Sequence, residues 1–169
     1  MTDGAPLTNS EIGELRRLLE IEKIRTLRTT YAHMLDSRDF DAAAEMLTED
    51  AVNDFGMLGA WHGRDRILAE WKSLYSGSTP YSGLHVATNL WMELTGPDSA
   101  VSRGYIHSVH NQVDARTTPT ALFAVNDHEY RKRDGRWLIS CSRLHVLWPK
   151  RMAVEKLLAQ CAPMQWALP

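Results

Sequence analysis

Apolar residues recur at helical spacing early in the chain. Ile12, Leu15, Leu19, Ile24, Leu27, Tyr31 and Met34 follow the three-and-four rhythm of a helix with one apolar stripe. Leu7-Thr8-Asn9-Ser10-Glu11-Ile12 supplies its start, with Thr8 as cap, Glu11 completing a capping box and Leu7 against Ile12 as a hydrophobic staple. The helix is predicted to stop near Leu35. Asp39 then caps a second, short helix through Phe40, Ala43, Met46 and Leu47. Ala51 to Phe55 reads as a strand and 56–59 as a turn. Arg64 to Tyr75 reads as a third helix, with Ile67, Leu68, Trp71 and Leu74 on one side. The Gly/Ser/Pro-rich stretch Ser76 to Gly83 reads as a loop.

The period changes in the second half. Three long strand patterns follow at about Leu84–Leu94, Ala100–Val113 and Pro119–Arg133, and a fourth at Arg136–Leu147. Gly96-Pro97-Asp98 and Asp134-Gly135 are hairpin turn signals. Helices first and an antiparallel meander second predict an α+β fold, with helices packed on one face of a curved, mainly antiparallel sheet. One domain is expected over 1–148. A tail over 149–169, amphipathic from Met152 to Leu158, is expected to pack on the body or on a neighbouring subunit.

Composition narrows the picture. With 169 residues, 44% hydrophobic and 24% charged, the chain is long and apolar enough for a real core. A net charge of −2 supplies no basic field for nucleic acid or an anionic membrane. No apolar run approaches the roughly 20 residues of a membrane helix. The N-terminus lacks the basic and apolar regions of a signal peptide. Cys141 and Cys161 form no CxxC and no metal spacing, and read as thiols in a reducing cytoplasm, the expected location. Six tryptophans and seven histidines suit a large, partly polar pocket.

Two residues far apart in sequence carry the candidate chemistry. Asp36 ends the first helical pattern, and His85 opens the first long strand pattern. A carboxylate that accepts from one imidazole nitrogen fixes the tautomer and raises the basicity of the other, which suits removal of a proton from carbon. The residues alone leave open a solvated aspartate and a histidine satisfied by backbone. Tyr31, five residues before Asp36, is either core packing or a pocket donor. In the second strand pattern Ser102, Gly104, Ile106, Ser108 and His110 share one face, and Arg103, Tyr105 and His107 the other. The small residues suit the concave face, so His110 is the pocket candidate. In the third, Ala124, Asn126, His128 and Tyr130 face inward, which makes Asn126 a buried amide in need of partners or a ligand. In the fourth, Trp137, Ile139, Cys141, Arg143 and His145 fall on one side. Arg143 on that apolar face calls for an anion or for an ion pair, with Asp36 itself as one partner on offer. His107 and His110 lie on opposite faces and cannot chelate together, and His62, His128 and His145 give no metal-ligand spacing. There is no GxGxxG, phosphate loop or GxSxG elbow. Neither metal nor cofactor is expected.

The strings "YAHMLDSRDFDAAAEMLTEDAV" and "EYRKRDGRWLI", with the helical module near 62–75, resemble the SnoaL-like branch of the nuclear-transport-factor-2 superfold over roughly residues 10–148. That resemblance implies a cone-shaped sheet wrapped around helices, with a deep pocket. "HVATNLWMELTGPDSAVSRGYIHSVH" and "VNDHEYRKRDGRW" are similar to the scytalone dehydratase and bile-acid 7α-dehydratase type of lyase. The match places His85 and His110 at the two catalytic histidines, Asp36 at the aspartate and Asn126 at the substrate-binding asparagine. Phe55 and Leu35 stand where scytalone dehydratases carry tyrosines, which argues against scytalone as substrate. Tyr31 and Arg143 match a tyrosine and a late arginine of the bile-acid type. The dyad and late arginine also resemble hexachlorocyclohexane dehydrochlorinase.

The resemblance implies a cofactor-independent, dehydratase-type lyase for a hydrophobic, carbonyl-bearing ring compound of aromatic, polyketide or steroid-like character. His85 is then the base, oriented by Asp36, with Tyr31 and His110 assisting. Asn126, Arg143, Phe55 and Trp71 bind substrate. An isomerase or polyketide cyclase with the same base, or a non-catalytic ligand-binding or assembly module, stays open. Such relatives associate as dimers or trimers through the outer sheet face, where Arg103, Tyr105 and His107 fall, so a homodimer or homotrimer is expected.

Overall fold

The first long helix starts where the capping signal places it. In the computed structural model, which describes residues 6–56, 59–75, 81–112 and 120–148, α1 spans Asn9–Ser37. The Thr8 N–H donates to Glu11 Oε2 at 2.7 Å and the Glu11 N–H to Thr8 Oγ1 at 3.3 Å. The helix runs two residues past Leu35. It stops because Arg38 adopts a left-handed conformation (φ 64°) and the Asp39 N–H turns back to the Met34 carbonyl at 2.9 Å. Asp39 then caps α2, Phe40–Ala44, by accepting from the Ala42 N–H at 3.1 Å. This helix ends earlier than its apolar pattern suggested, because Leu47 already belongs to β1, Leu47–Asp54.

A three-residue strand, β2 (Ala60–His62), pairs antiparallel with β1 and is too short to carry a period. Helix α3 spans Arg64–Tyr75, as predicted. The strands β3 (Tyr81–Gly96), β4 (Ser99–Gln112), β5 (Thr120–Arg133) and β6 (Arg136–Trp148) form the predicted meander. Tyr81–Gly83, read as loop, is the start of β3 and pairs with the end of β4. The sheet order is β2-β1-β6-β5-β4-β3, antiparallel throughout except for the parallel pairing of β1 with β6. Helices cover one face of this curved sheet. Ile24, Tyr31, Leu47, Ile67 and Trp71 meet Ala100, Tyr130, Trp137 and Ile139 in a single core.

Two β-bulges set which side chains face inward. In β3 the register passes from Thr88 opposite Tyr105 to Trp91 opposite Arg103, and Asn89 takes φ 51° in the bulge. Gly104 lies across from it, where a Cβ would meet Thr88 O at 3.2 Å and Leu90 Cδ1 at 3.3 Å. In β6 the register passes from Ile139 opposite Tyr130 to Cys141 opposite Glu129, so Ser140 is an extra residue. Trp137 and Ile139 keep the inner face, but beyond the bulge the alternation inverts. Ser142 and Leu144 point inward, while Cys141, Arg143 and His145 point outward.

No helix among the described residues is long and apolar enough to cross a membrane. The expected tail over 149–169, with Cys161, lies outside the described residues.

Glu20 ties α1 to the closed end of the sheet. Lys132 Nζ on β5 and Trp137 Nε1 on β6 both donate to Glu20 Oε2 at 2.7 Å. The bonds from Lys132, Lys23 and Trp137 draw the carboxyl from an ordinary 4.5 down to about 2. Because the folded value lies below the unfolded one, this stabilisation is complete above about pH 4.5 and is lost as pH falls toward about 2. Glu20→Gln is therefore expected to lower the unfolding free energy at pH 7 by about 1 kcal/mol in urea denaturation. The gap from wild type should close progressively in acid.

Candidate active site

Asp36 sits on the last turn of α1, and His85 lies five residues into the strand that begins at Tyr81. The fold brings them together. The His85 backbone N–H reaches Asp36 Oδ2 at 3.2 Å, and His85 Nδ1 lies 2.6 Å from Asp36 Oδ1. One residue thus holds both carboxylate oxygens. Both side chains are largely shielded, 18% exposed for His85 and 17% for Asp36. With the Nδ1 proton committed to the carboxylate, the neutral ring carries its lone pair on Nε2.

His85 opens onto a cavity of about 550 Å³ between α1, α3 and the inner sheet face. Its wall is mainly apolar, with Leu35, Phe55, Trp61, Trp71, Ile106, Leu122 and Leu144. Phe55 packs edge-on to Trp61, their centroids 4.8 Å apart, and Trp71 packs against Tyr31 at 6.0 Å. Phe55 and Trp71 both line the cavity. Asn126 lines the cavity too, and Ser142 Oγ donates to its amide oxygen at 3.3 Å. That bond orients the amide, and its N–H group is the donor a ligand could meet. Tyr31 is a lining residue only 5% exposed, and burial pushes its hydroxyl up to about 12, against a smaller opposing effect of Asn53. It stays protonated at neutral pH, a donor and not a base.

Two expected residues fall elsewhere. Arg143 is not in the cavity: it is exposed on the outer face, where NH1 donates to Glu129 Oε1 at 2.6 Å. The Ser140 bulge, which strict alternation cannot anticipate, is the reason. Arg143 pairs neither with a pocket ligand nor with Asp36. The side chain of His110 lies outside the described residues; its backbone pairs with Gly83 and Thr120 in the sheet.

Several lining residues were not legible in the sequence, among them Asn53, Trp61, Ser142 and the charged Arg28. Arg28 lies on the same stripe of α1 as Ile21, Ile24 and Tyr31, is 5% exposed and reaches the cavity. Its signal was an arginine three residues before Tyr31 on the apolar face of a long helix. Among the described residues no group of three or more His, Cys, Asp or Glu side chains converges as a metal centre requires.

Comparisons against known proteins identify the family and the fold. A family model described as a SnoaL-like domain matches residues 16–143. Among curated proteins none matches the sequence. Similar solved structures include a candidate scytalone dehydratase from Novosphingobium aromaticivorans (18% identity, TM-score 0.71, covering 81% of this chain and 93% of that one). A hexachlorocyclohexane dehydrochlorinase, LinA type 2, is similar at 23% identity and TM-score 0.70, over 83% of this chain and 93% of that one. An NTF2-like protein with a cystatin-like fold, also from N. aromaticivorans, is similar at 20% identity and TM-score 0.71, over 96% of this chain and all of that one (100%). At these identities the likeness concerns the fold.

The dyad geometry fixes a tautomer. Long-range proton–nitrogen NMR of the histidine-labelled protein at neutral pH is expected to show His85 protonated at Nδ1 with the lone pair at Nε2. In Asp36→Asn that preference should be lost while the amide spectrum stays folded. An Nε2–H tautomer in the wild type would contradict the assignment.

Proposed function

The chain belongs to the SnoaL-like domain family, and from that premise we propose that it is a lyase of the dehydratase type acting on a hydrophobic, carbonyl-bearing ring compound. The observation that carries this reading is the 2.6 Å contact between Asp36 and His85 at a largely apolar cavity. Neighbouring folds that bear dehydratase and dehydrochlorinase names support the same class of chemistry.

His85, Asn126 and Tyr31 line the cavity, and Asp36 touches His85. Nε2 of neutral His85 takes the proton from the carbon next to the carbonyl. The C–H electrons form a carbon–carbon double bond and the carbonyl oxygen becomes an enolate. Asn126 N–H donors stabilise that oxygen, and in a water-poor cavity such a donor counts for more than it would in water. Asp36 stabilises the imidazolium without taking its proton. As the enolate collapses back to the carbonyl, the hydroxyl on the next carbon leaves. It takes the proton from His85 and departs as water, with Tyr31 as hydrogen-bond donor. His110, assigned from sequence, would act on the same departing group. His85 ends neutral and ready for the next cycle, and no cofactor is needed for the balance.

A filled interior would favour a non-catalytic module, and the cavity argues against it. Isomerisation or cyclisation begins with the same proton abstraction, so product mass distinguishes them. A panel of cyclic β-hydroxy ketones, analysed by mass spectrometry, is expected to yield at least one product lighter by 18 mass units. His85→Ala and Asp36→Asn should each cut that turnover by about 10²-fold or more with the fold intact. Unchanged product mass would replace dehydration by isomerisation, and full activity in both variants would remove the dyad from the mechanism.

Self-association belongs to the same reading. On the outer face of β3 and β4, Leu84 (58% exposed), Val86, Tyr105 and Val109 form an apolar surface beside the stacked His107 and Phe123 rings. This is the face on which a second copy would pack. Light scattering after size-exclusion chromatography is expected to give a dimer or trimer, and Val86→Asp a folded monomer. A monomeric wild type at micromolar concentration would sink the assignment.

A further inference from the structure

Arg28 is a cation in the wrong place for a purely structural residue. It shares the buried stripe of α1 with Ile21, Ile24 and Tyr31, is 5% exposed and lines the cavity. Among the described residues no carboxylate lies within ion-pair distance of its guanidinium, and its buried Nε has no hydrogen-bond partner. On the same helix, Glu20 is taken by Lys132, Lys23 and Trp137, and Asp36 by His85. The groups that feel the Arg28 charge are neutral. Tyr31 and Tyr130 are buried phenols, the second bonded to Ser102 at 2.8 Å. His128 is buried with neither ring nitrogen partnered, and burial with the Arg28 charge drives it well below its ordinary range, so it is neutral too. A guanidinium taken out of water with no opposite charge is costly. Chains retain such a group where an anion arrives from outside.

We infer that the part of the cavity lined by Arg28 is an anion subsite, and that the ligand it takes is a ring compound bearing a carboxylate. Eight residues separate Arg28 from Asp36, about 12 Å along α1. Arg28 and His85 both line the chamber, at separate points along the axis of α1. A ligand that spans it places its carboxylate on Arg28 and its reacting C–H against His85, with apolar rings between. The planar guanidinium fork matches a carboxylate in two parallel hydrogen bonds, while a single cation leaves a phosphate dianion half neutralised. This assignment rests on the lyase reading only for what happens at His85; the subsite itself is a matter of binding.

The test uses two probes of nearly one shape, 2-naphthoate and the neutral 2-acetylnaphthalene, titrated calorimetrically into the full-length protein. Wild type is expected to bind 2-naphthoate at least tenfold more tightly. Arg28→Met should abolish that preference to within twofold while still binding the neutral probe, and Arg28→Lys should keep part of it. Without probe, Arg28→Met should melt no lower than wild type, because it removes a buried charge that has no mate. Equal affinities in wild type, a naphthoate preference that survives in Arg28→Met, or a clear drop in its melting temperature would each overturn the proposal. Asp36→Asn separates the two readings: it should lose turnover and retain the naphthoate preference.

Discussion

A single carboxylate at the end of α1 holds both the backbone and the ring of His85. The backbone bond stitches the last turn of the helix to the first residues of β3. The ring bond decides which imidazole nitrogen is basic. Fold and chemistry therefore share one contact. The left-handed stop at Arg38 ends the helix just beyond Asp36, and the pairing of Tyr81–Gly83 with β4 sets His85 at the right depth. A carboxylate at a helix C-terminus is disfavoured by the helix dipole, and two N–H donors from one residue offset that cost.

The interior uses polar groups sparingly. Asn126, Tyr31 and Arg28 are set among aromatic and aliphatic walls. In that environment each donor acts strongly, and each unsatisfied one is a cost carried until a ligand arrives. The hydrogen bond from Ser142 orients the Asn126 amide, and burial keeps Tyr31 protonated. The proposed base lies by the C-terminal end of α1, and the guanidinium lies about 12 Å earlier along the same helix. Proposed catalysis and recognition therefore sit at separate points along one helix axis.

Much of this was legible in the chain. The Thr8–Glu11 capping box, the Arg64–Tyr75 helix and the four long strands follow from local chemistry and from period, which act over short stretches. Asp36 and His85 were legible as residues, and their contact only through a resemblance, because nothing local links positions 49 residues apart. Arg143 shows the limit of alternation. One extra residue at Ser140 inverts the side chains from Cys141 to Val146, and no turn residue marks the bulge. Arg28 shows a different limit. Its place on the apolar stripe was visible, but an arginine at a helical position is usually read as a solvated side chain that reaches past the core. Only the burial shows that it does not.

Proton transfer from carbon can be observed before any natural substrate is known. 2-Tetralone, a two-ring ketone with acidic hydrogens beside its carbonyl, can be incubated with the protein in D₂O and followed by proton NMR. Catalysed exchange at those carbons, faster by about 10²-fold or more in wild type than in His85→Ala, is the predicted result. Exchange at the same rate in wild type, variant and buffer would contradict a carbon base at His85.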